Sequence, residues 1–212
     1  MVDVFEWLRV SLLELDRLLL TAGNISARNP VFDAILPFLD KSSYWLAPIL
    51  LIVIGVIVFR GRRGWLMVAG AGVVVLLTDQ ASSALLKPLL ARIRPCNIEP
   101  NLHMWWESRW IILPDPVIEI MKASYSFPSS HAANSAGQAV WWGWIFPKYR
   151  WWFAGYSGII GYSRVYLAHH WPLDVLAGWL LGGLLALIVI RVASRTLPAY
   201  FNSRIGIAGK LE

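Results

Sequence analysis

Long apolar stretches separated by short polar segments dominate this 212-residue chain. Five of these stretches, at 44–59, 65–86, 130–146, 151–168 and 172–190, carry few charges. A helix needs roughly 20 apolar residues to cross a bilayer core of about 30 Å, and most of the five approach or reach that length. The pattern therefore predicts about five transmembrane helices.

The N-terminal segment follows a different, amphipathic pattern. Apolar side chains recur at intervals of three or four at Phe5, Leu8, Leu12, Leu15 and Leu19, which places them on one helical face. Six charged residues lie within 3–20, too many for a helix buried in lipid, so this helix is expected to lie in the membrane interface. The expected fold class is all-α: a polytopic membrane bundle of six helices in a single domain, 1–212.

Composition agrees with a membrane protein and narrows the possible functions. Hydrophobic residues make up 57% of the chain and charged residues 15%, with a mean hydropathy of +0.54, values typical of integral membrane proteins. The net charge of +6 would also suit a nucleic-acid partner, but the basic residues fall in short loops, where membrane topology explains them better. The single cysteine, Cys96, excludes an internal disulfide and a cysteine-based metal cluster.

The basic loops predict the orientation of the chain. They occur at 60–63, at 148–150 and in the C-terminal tail, and the positive-inside rule places them in the cytoplasm. Alternation of the apolar stretches then puts segment 87–127, with His131 and His170, on the opposite face. The expected location is the bacterial inner membrane, with the functional site facing the periplasm or the cell exterior.

The segment YSRVYLAHHWPLD, residues 162–174, joins the last two apolar stretches and carries candidate chemistry. Pro172 suits the first turn of a helix. Asp174 would lie in that turn, with His170 four residues earlier and within side-chain reach. A carboxylate on one imidazole nitrogen leaves the other nitrogen free as a nucleophile or base. Arg164 adds a planar cation suited to phosphate oxygens.

Two further segments complete a recognisable pattern. KPLLARIRP at 87–95 places Arg94 seven positions after Lys87, and PSSH ends at His131. Together the three segments resemble, in order and in spacing, the signature of the type 2 phosphatidic acid phosphatase (PAP2) superfamily: K-x6-RP, PSGH and SR-x5-H-x3-D. Ser130 departs from this pattern, because it stands where the signature has glycine and its side chain narrows the space for a phosphate.

The resemblance implies catalytic roles for three residues. His170 would attack phosphorus to form a phosphohistidine, and Asp174 would orient its imidazole. His131 would give a proton to the leaving oxygen. The catalytic core would span about 87–174.

A second set of residues would bind the phosphate. The cations Lys87, Arg94 and Arg164 would hold its non-bridging oxygens. Ser129 and Ser130, with backbone N–H groups at the start of a helix, would add donors. Because three cations supply the charge that Mg²⁺ otherwise provides, neither a metal nor a cofactor is expected.

The expected function is hydrolysis of a lipid phosphate or diphosphate by a metal-independent membrane phosphatase, whose partners are that lipid and the surrounding membrane lipids. Undecaprenyl diphosphate is the first candidate, because its phosphate group faces away from the cytoplasm. Phosphatidylglycerol phosphate, phosphatidic acid and lipid A 1-phosphate are alternatives. A transporter or channel is the rival class, since intramembrane charges also mark ion paths, but the chain shows no inverted hydropathy repeat.

Other positions receive structural interpretations. Asp79, inside the second apolar stretch, is expected to make a structural hydrogen bond. His103 and His169 are interpreted as interfacial residues. Three small residues in the last apolar stretch are interpreted as sites of close helix packing: Gly178, Gly182 and Gly183.

Overall fold

The computed structural model describes residues 3–41, 43–115, 117, 120–121 and 124–198, so the end of the basic tail lies outside the described residues. The N-terminal helix and the five apolar stretches are helical as expected, with the first two stretches joined in one long helix, α3. A further helix, α2, precedes α3, and a short helix, α4, follows it. Their bounds are α1 (Val4–Leu20), α2 (Pro30–Asp40), α3 (Ser43–Asp79), α4 (Lys87–Leu90), α5 (Ser130–Ile145), α6 (Arg150–Tyr166) and α7 (Pro172–Thr196). Two π-helical turns, Thr21–Ser26 and Gln80–Leu86, and two 3₁₀ turns, Pro95–Asn97 and Pro147–Tyr149, connect them.

The long helix α3 consists of two halves that meet at Gly61. This residue has φ 53° and ψ −131°, a positive φ that glycine adopts without a steric cost. A Cβ on Gly64 would lie 2.2 Å from the backbone oxygen of Val56, whereas residues eight apart in a straight helix are about 12 Å apart. The chain therefore reverses direction at the basic segment 60–63, as the two separate apolar stretches predict.

Two helical stretches in the described part of the chain are long and apolar enough to cross a membrane. They are Ser43–Asn97, which contains both halves of α3, and Pro172–Thr196. α5 and α6 have 16 and 17 residues. The protein is an integral membrane protein, and the number of five spans stays a prediction.

Helix α5 is packed among α3, α6 and α7. Its contact with α7 is close because α7 presents glycines to the α5 backbone. A Cβ on Gly182 would lie 1.9 Å from the oxygen of Ala133, and one on Gly178 would lie 2.5 Å from that of Ser129. The packing interpretation is confirmed for these two glycines and is wrong for Gly183, where the nearest atom would be 4.0 Å away.

The segment between α4 and α5 adds two short strands to the helical fold that the sequence predicts. It contains an antiparallel hairpin of β1 (His103–Trp106) and β2 (Arg109–Ile112). Its turn residues Glu107 and Ser108 both have positive φ, 48° and 64°, as a two-residue hairpin turn of type I′ requires. No strand is expected within segment 87–127 from the apolar pattern, although tryptophan and isoleucine favour strands.

Helix α1 turns its apolar face away from the rest of the protein. The predicted face is largely exposed, with Leu8 at 44%, Leu12 at 49% and Leu15 at 46%. On the other side Asp16 and Leu20 are buried. An exposed leucine face on a docked helix suits contact with lipid, which supports the interfacial position predicted for α1.

Candidate active site

The connection between α6 and α7 brings His170 and Asp174 together. α7 begins at Pro172, and the Asp174 carboxylate turns back to accept a hydrogen bond from the Trp171 N–H at 2.9 Å through Oδ2. The same Oδ2 lies 3.5 Å from His170 Nδ1. At this separation His170 Nδ1 makes no hydrogen bond to a described residue, and contacts between catalytic groups often tighten only when substrate binds. The contact expected from the four-residue spacing is therefore present.

Arg94 holds the other side of the His170 ring. Its Nη1 lies 3.1 Å from His170 Nε2 and also donates to the backbone oxygen of His169 at 2.6 Å. Its Nη2 donates to the Ser124 hydroxyl at 2.7 Å. Burial, followed by the positive charges of Arg94 and Lys87, lowers the pKa of His170 well below its ordinary 6.5. The imidazole is therefore neutral near pH 7, the state that a nucleophile needs.

The predicted site residues surround one cavity of about 620 Å³. Six of the eight line it: Lys87, Arg94, Ser130, His131, Arg164 and His170. The other two lie behind its wall. Asp174 contacts the cavity through His170, and the buried Ser129 hydroxyl accepts a hydrogen bond from the Ala132 N–H at 3.4 Å, capping α5.

Arg164 has a carboxylate partner that the sequence pattern does not indicate. Its Nη1 donates to Asp40 at the end of α2, while Nε and Nη2 donate to the Ser163 hydroxyl at 3.1 and 2.9 Å. Burial acts to raise the pKa of Asp40, but the positive charge of Arg164 and its hydrogen bond to the carboxylate outweigh this effect and hold the pKa below its ordinary value. Asp40 lines the cavity, so an anion that binds Arg164 meets a charged carboxylate.

The Ser130 side chain joins a group of hydroxyls from the π-helical turn. Its Oγ lies 2.9 Å from those of both Ser82 and Ser83. Asp79 accepts a 3.3 Å hydrogen bond from Ser83, as expected, and also lines the cavity. The hydroxyl that replaces the glycine of the signature therefore lies in a polar wall.

The structure corrects the interfacial interpretation of two histidines. His103 is buried and stacks on Trp110 with ring centroids 4.0 Å apart. His169 is also buried and lines the cavity, with Nδ1 3.8 Å from Asp40 Oδ1. Burial and the charge of Arg164 lower the pKa of His169 to about 4. Both imidazole rings lie in the protein interior. Their burial depends on contacts with distant parts of the chain, so the neighbouring sequence does not indicate it.

A family model described as the PAP2 superfamily matches residues 65–197 of this chain. The chain belongs to the PAP2 superfamily. The matched region contains all three signature segments, so the resemblance seen in the sequence is confirmed. The matched region does not include α1 or α2, and therefore does not include Asp40.

Members of the superfamily with different named substrates are similar to this chain. An undecaprenyl-diphosphatase from Sulfolobus acidocaldarius is 33% identical over 109 residues, covering 51% of this chain and 47% of the relative. A lipid A 4'-phosphatase from Bacteroides thetaiotaomicron is 26% identical over 191 residues, covering 85% of this chain and 70% of the relative. The chain therefore spans about half the length of the first relative and most of the second. Their names agree with the predicted enzyme class, a hydrolase of phosphate monoesters or diphosphates.

A solved structure has the same fold. The crystal structure of a transmembrane PAP2-type phosphatidylglycerolphosphate phosphatase from Bacillus subtilis aligns with a TM-score of 0.60 and 26% identity. The alignment covers 88% of each chain, and so extends well beyond the three signature segments.

Proposed function

We propose that this protein hydrolyses a lipid phosphate or diphosphate through a phosphohistidine on His170. The arrangement of that side chain carries the proposal. His170 is buried and neutral, with the Asp174 carboxylate on Nδ1 and the Arg94 guanidinium beside Nε2. Nε2 is then the ring nitrogen available for attack, and a phosphate bound by Arg94 would take the place of the guanidinium contact on its lone pair.

The reaction proceeds in two balanced steps. In the first, the Nε2 lone pair forms a bond to phosphorus while the bond from phosphorus to the leaving oxygen breaks. His131, which must start as the imidazolium that the negative charge of the bound phosphate favours, gives that oxygen a proton. Asp174 stabilises the positive charge that develops on His170. In the second, His131 takes a proton from water as its oxygen attacks phosphorus, the P–N bond breaks, and inorganic phosphate leaves with His170 neutral again.

The three cations provide the electrostatic stabilisation. Lys87, Arg94 and Arg164 line the same cavity as both histidines, so they offset the charge on the phosphate oxygens in the transition state. The Ser130 hydroxyl and the first N–H groups of α5, whose helix start is capped by Ser129, add donors. Among the described residues no group of three His, Cys, Asp or Glu is placed to hold a metal ion, and the proposed steps use none.

Undecaprenyl diphosphate is the proposed substrate. A relative is named for that activity, and diphosphate has a better leaving group than a phosphomonoester, which eases the demand on His131. The cavity also presents Trp105, Trp106 and Met121, an apolar wall for the start of a prenyl chain. Phosphatidylglycerol phosphate, phosphatidic acid and lipid A 1-phosphate are the alternatives.

The proposed location is the bacterial inner membrane, with the cavity on the outer face. The basic turn at Gly61 and the cavity residue Lys87 lie at opposite ends of the second half of α3 and its π-helical extension. A helix over 62–87 is about 38 Å long, which is the scale of a whole bilayer. The basic turn and the cavity therefore lie near opposite membrane surfaces, with the turn in the cytoplasm.

Release of inorganic phosphate from the four lipids in matched micelles tests this proposal, with and without EDTA. We expect undecaprenyl diphosphate to have the highest kcat/KM, EDTA to have no effect, and His170→Gln to abolish release. If a rival lipid exceeds undecaprenyl diphosphate by about tenfold, roughly 1.4 kcal/mol of transition-state preference, the substrate assignment is wrong. Full activity in His170→Gln would refute the mechanism, and loss of activity in EDTA would refute metal independence.

A further inference from the structure

The N-terminal helix α1 contributes a buried carboxylate to the wall behind the proposed site. Asp16 is 0% exposed, although its helix presents a row of leucines outward. Its Oδ1 accepts a 2.8 Å hydrogen bond from the Leu173 N–H. That N–H belongs to the first turn of α7, where backbone donors have no partner within the helix. Asp16 therefore ties α1 to the segment that carries Asp174.

Arg92 connects the two buried carboxylates. Its Nη1 donates to Asp174 Oδ1 at 2.7 Å, and its Nη2 donates to Asp16 Oδ2. The guanidinium also lies over the Trp171 ring, 5.2 Å from the centroid. A planar fork of donors is the side chain that can span two carboxylates in one orientation. The Arg92 side chain is 22% exposed and both carboxylates are 0% exposed, so most of this contact is shielded from water.

These contacts determine how Asp174 faces His170. Arg92 occupies Oδ1, which leaves Oδ2 to accept from the Trp171 N–H and to face His170 Nδ1. Without Arg92 the carboxylate keeps the Trp171 N–H and a hydrogen bond from the Ser126 side chain but no charged partner, and it also faces the uncompensated charge of Asp16. Two buried carboxylates without their shared cation repel each other and rearrange or take up a proton.

We propose that Arg92 is a positioning residue for Asp174 and that Asp16 holds Arg92 in place, so that helix α1 completes the active site. The inference rests on the proposed roles of His170 and Asp174. Neither Arg92 nor Asp16 lines the cavity. Asp16 lies outside the matched family region, 65–197. Arg92 lies inside the segment 87–95, at a position that the K-x6-RP signature leaves open. The signature therefore specifies neither residue.

The test compares kinetic constants of the purified full-length chain in detergent, with the short prenyl diphosphate farnesyl diphosphate as the probe. The variants are Arg92→Gln, Asp16→Asn and the double variant. Arg17→Gln is the matched control, because Arg17 also ties α1 to the segment after α4, through a 2.8 Å ion pair with Glu99, but its side chain is 61% exposed. His170→Gln reports separately on the proposed function.

We expect Arg92→Gln to lower kcat by about tenfold with KM within about twofold, because the residue acts on the nucleophile and not on the bound phosphate. Asp16→Asn should lower kcat by less. The double variant should be more active than Arg92→Gln, because removing the second carboxylate relieves the repulsion, a coupling that loss of helix docking would not produce. Arg17→Gln should match the wild type.

Three results would overturn the inference: unchanged kcat in Arg92→Gln, a double variant no better than Arg92→Gln, or an equal loss in Arg17→Gln. If Arg92→Gln does not fold, Asp16→Asn provides the test instead. A kcat equal to that of the wild type in Asp16→Asn would then overturn the inference. An active His170→Gln would instead refute the proposed function. If His170→Gln is inactive while Arg92→Gln is fully active, the proposed function stands and only the role of Arg92 is refuted.

Discussion

Asp40→Asn should tighten the binding of a phosphate mimic. Asp40 neutralises Arg164, one of the three cations proposed to hold phosphate. Its lowered pKa keeps it ionised at neutral pH. An anion bound to the same guanidinium must displace this carboxylate or remain close to it. The substituted amide keeps the size of the side chain and removes the opposing charge.

The size of the effect follows from the distance between the charges. An oxyanion on Arg164 would lie roughly 5 Å from the Asp40 carboxylate, and two unit charges at that separation interact by about 3 kcal/mol at an effective dielectric constant of about 20. The Asp40 side chain is 27% exposed, and solvent screening reduces this to about 1 kcal/mol. That free energy corresponds to about a fivefold lower inhibition constant.

The assay is competitive inhibition by vanadate at pH 7, with farnesyl diphosphate as the substrate. Glu107→Gln is the matched control, because it removes the same charge from another residue lining the cavity. Vanadate should inhibit Asp40→Asn at about a fivefold lower concentration than wild type or Glu107→Gln. Weaker inhibition of Asp40→Asn would mean that Asp40 orients Arg164 for the phosphate. An equal gain in Glu107→Gln would mean that only the overall charge of the cavity matters.

Three further predictions concern pH, packing and orientation. Because His170 must be neutral to attack and its pKa lies well below 6.5, kcat/KM should fall only below pH 6.5 on the acidic side; a fall already at pH 7.5 would contradict the neutral nucleophile. Gly182→Ala should destabilise the protein by about 1–3 kcal/mol in unfolding titrations, because its methyl group meets the α5 backbone. Gly183→Ala, which has space for a methyl group, is the control, and equal stabilities would refute the close contact. After replacement of Cys96, a cysteine at Asn101 should react with an impermeant maleimide in intact spheroplasts and one at Lys148 should not; the reverse pattern would invert the proposed topology.

The positions of His170 and Asp174 relative to each other could be predicted from the sequence, because the two residues are only four positions apart at the start of a helix. Pro172 begins α7 as expected, and Asp174 then faces His170 one turn earlier. Close helix packing is likewise predicted at Gly178 and Gly182, and the structure shows that α5 is the helix packed there. Both predictions follow from helical periodicity, which can be read from the spacing of residues in the sequence.

The remaining site residues come from parts of the chain that are far apart in sequence. Asp16 and Arg92 are 76 positions apart, and Asp40 and Arg164 are 124 apart. Each carboxylate lies on an amphipathic helix among other charged residues, and no local pattern distinguishes it from a solvated one. Ser129 shows a different difficulty. A serine just before a helix can either donate to a phosphate or cap the helix, and in the structure its hydroxyl caps α5.

Identification of the phosphorylated residue tests the central claim most directly. Purified protein would be mixed with a prenyl diphosphate carrying a radiolabelled terminal phosphate, quenched in alkaline detergent and digested. We expect acid-labile label on the peptide that contains His170, more label in His131→Gln because hydrolysis of the intermediate is slowed, and none in His170→Gln. Label that persists in His170→Gln, or that lies on any other residue of the wild type, would contradict the phosphohistidine mechanism.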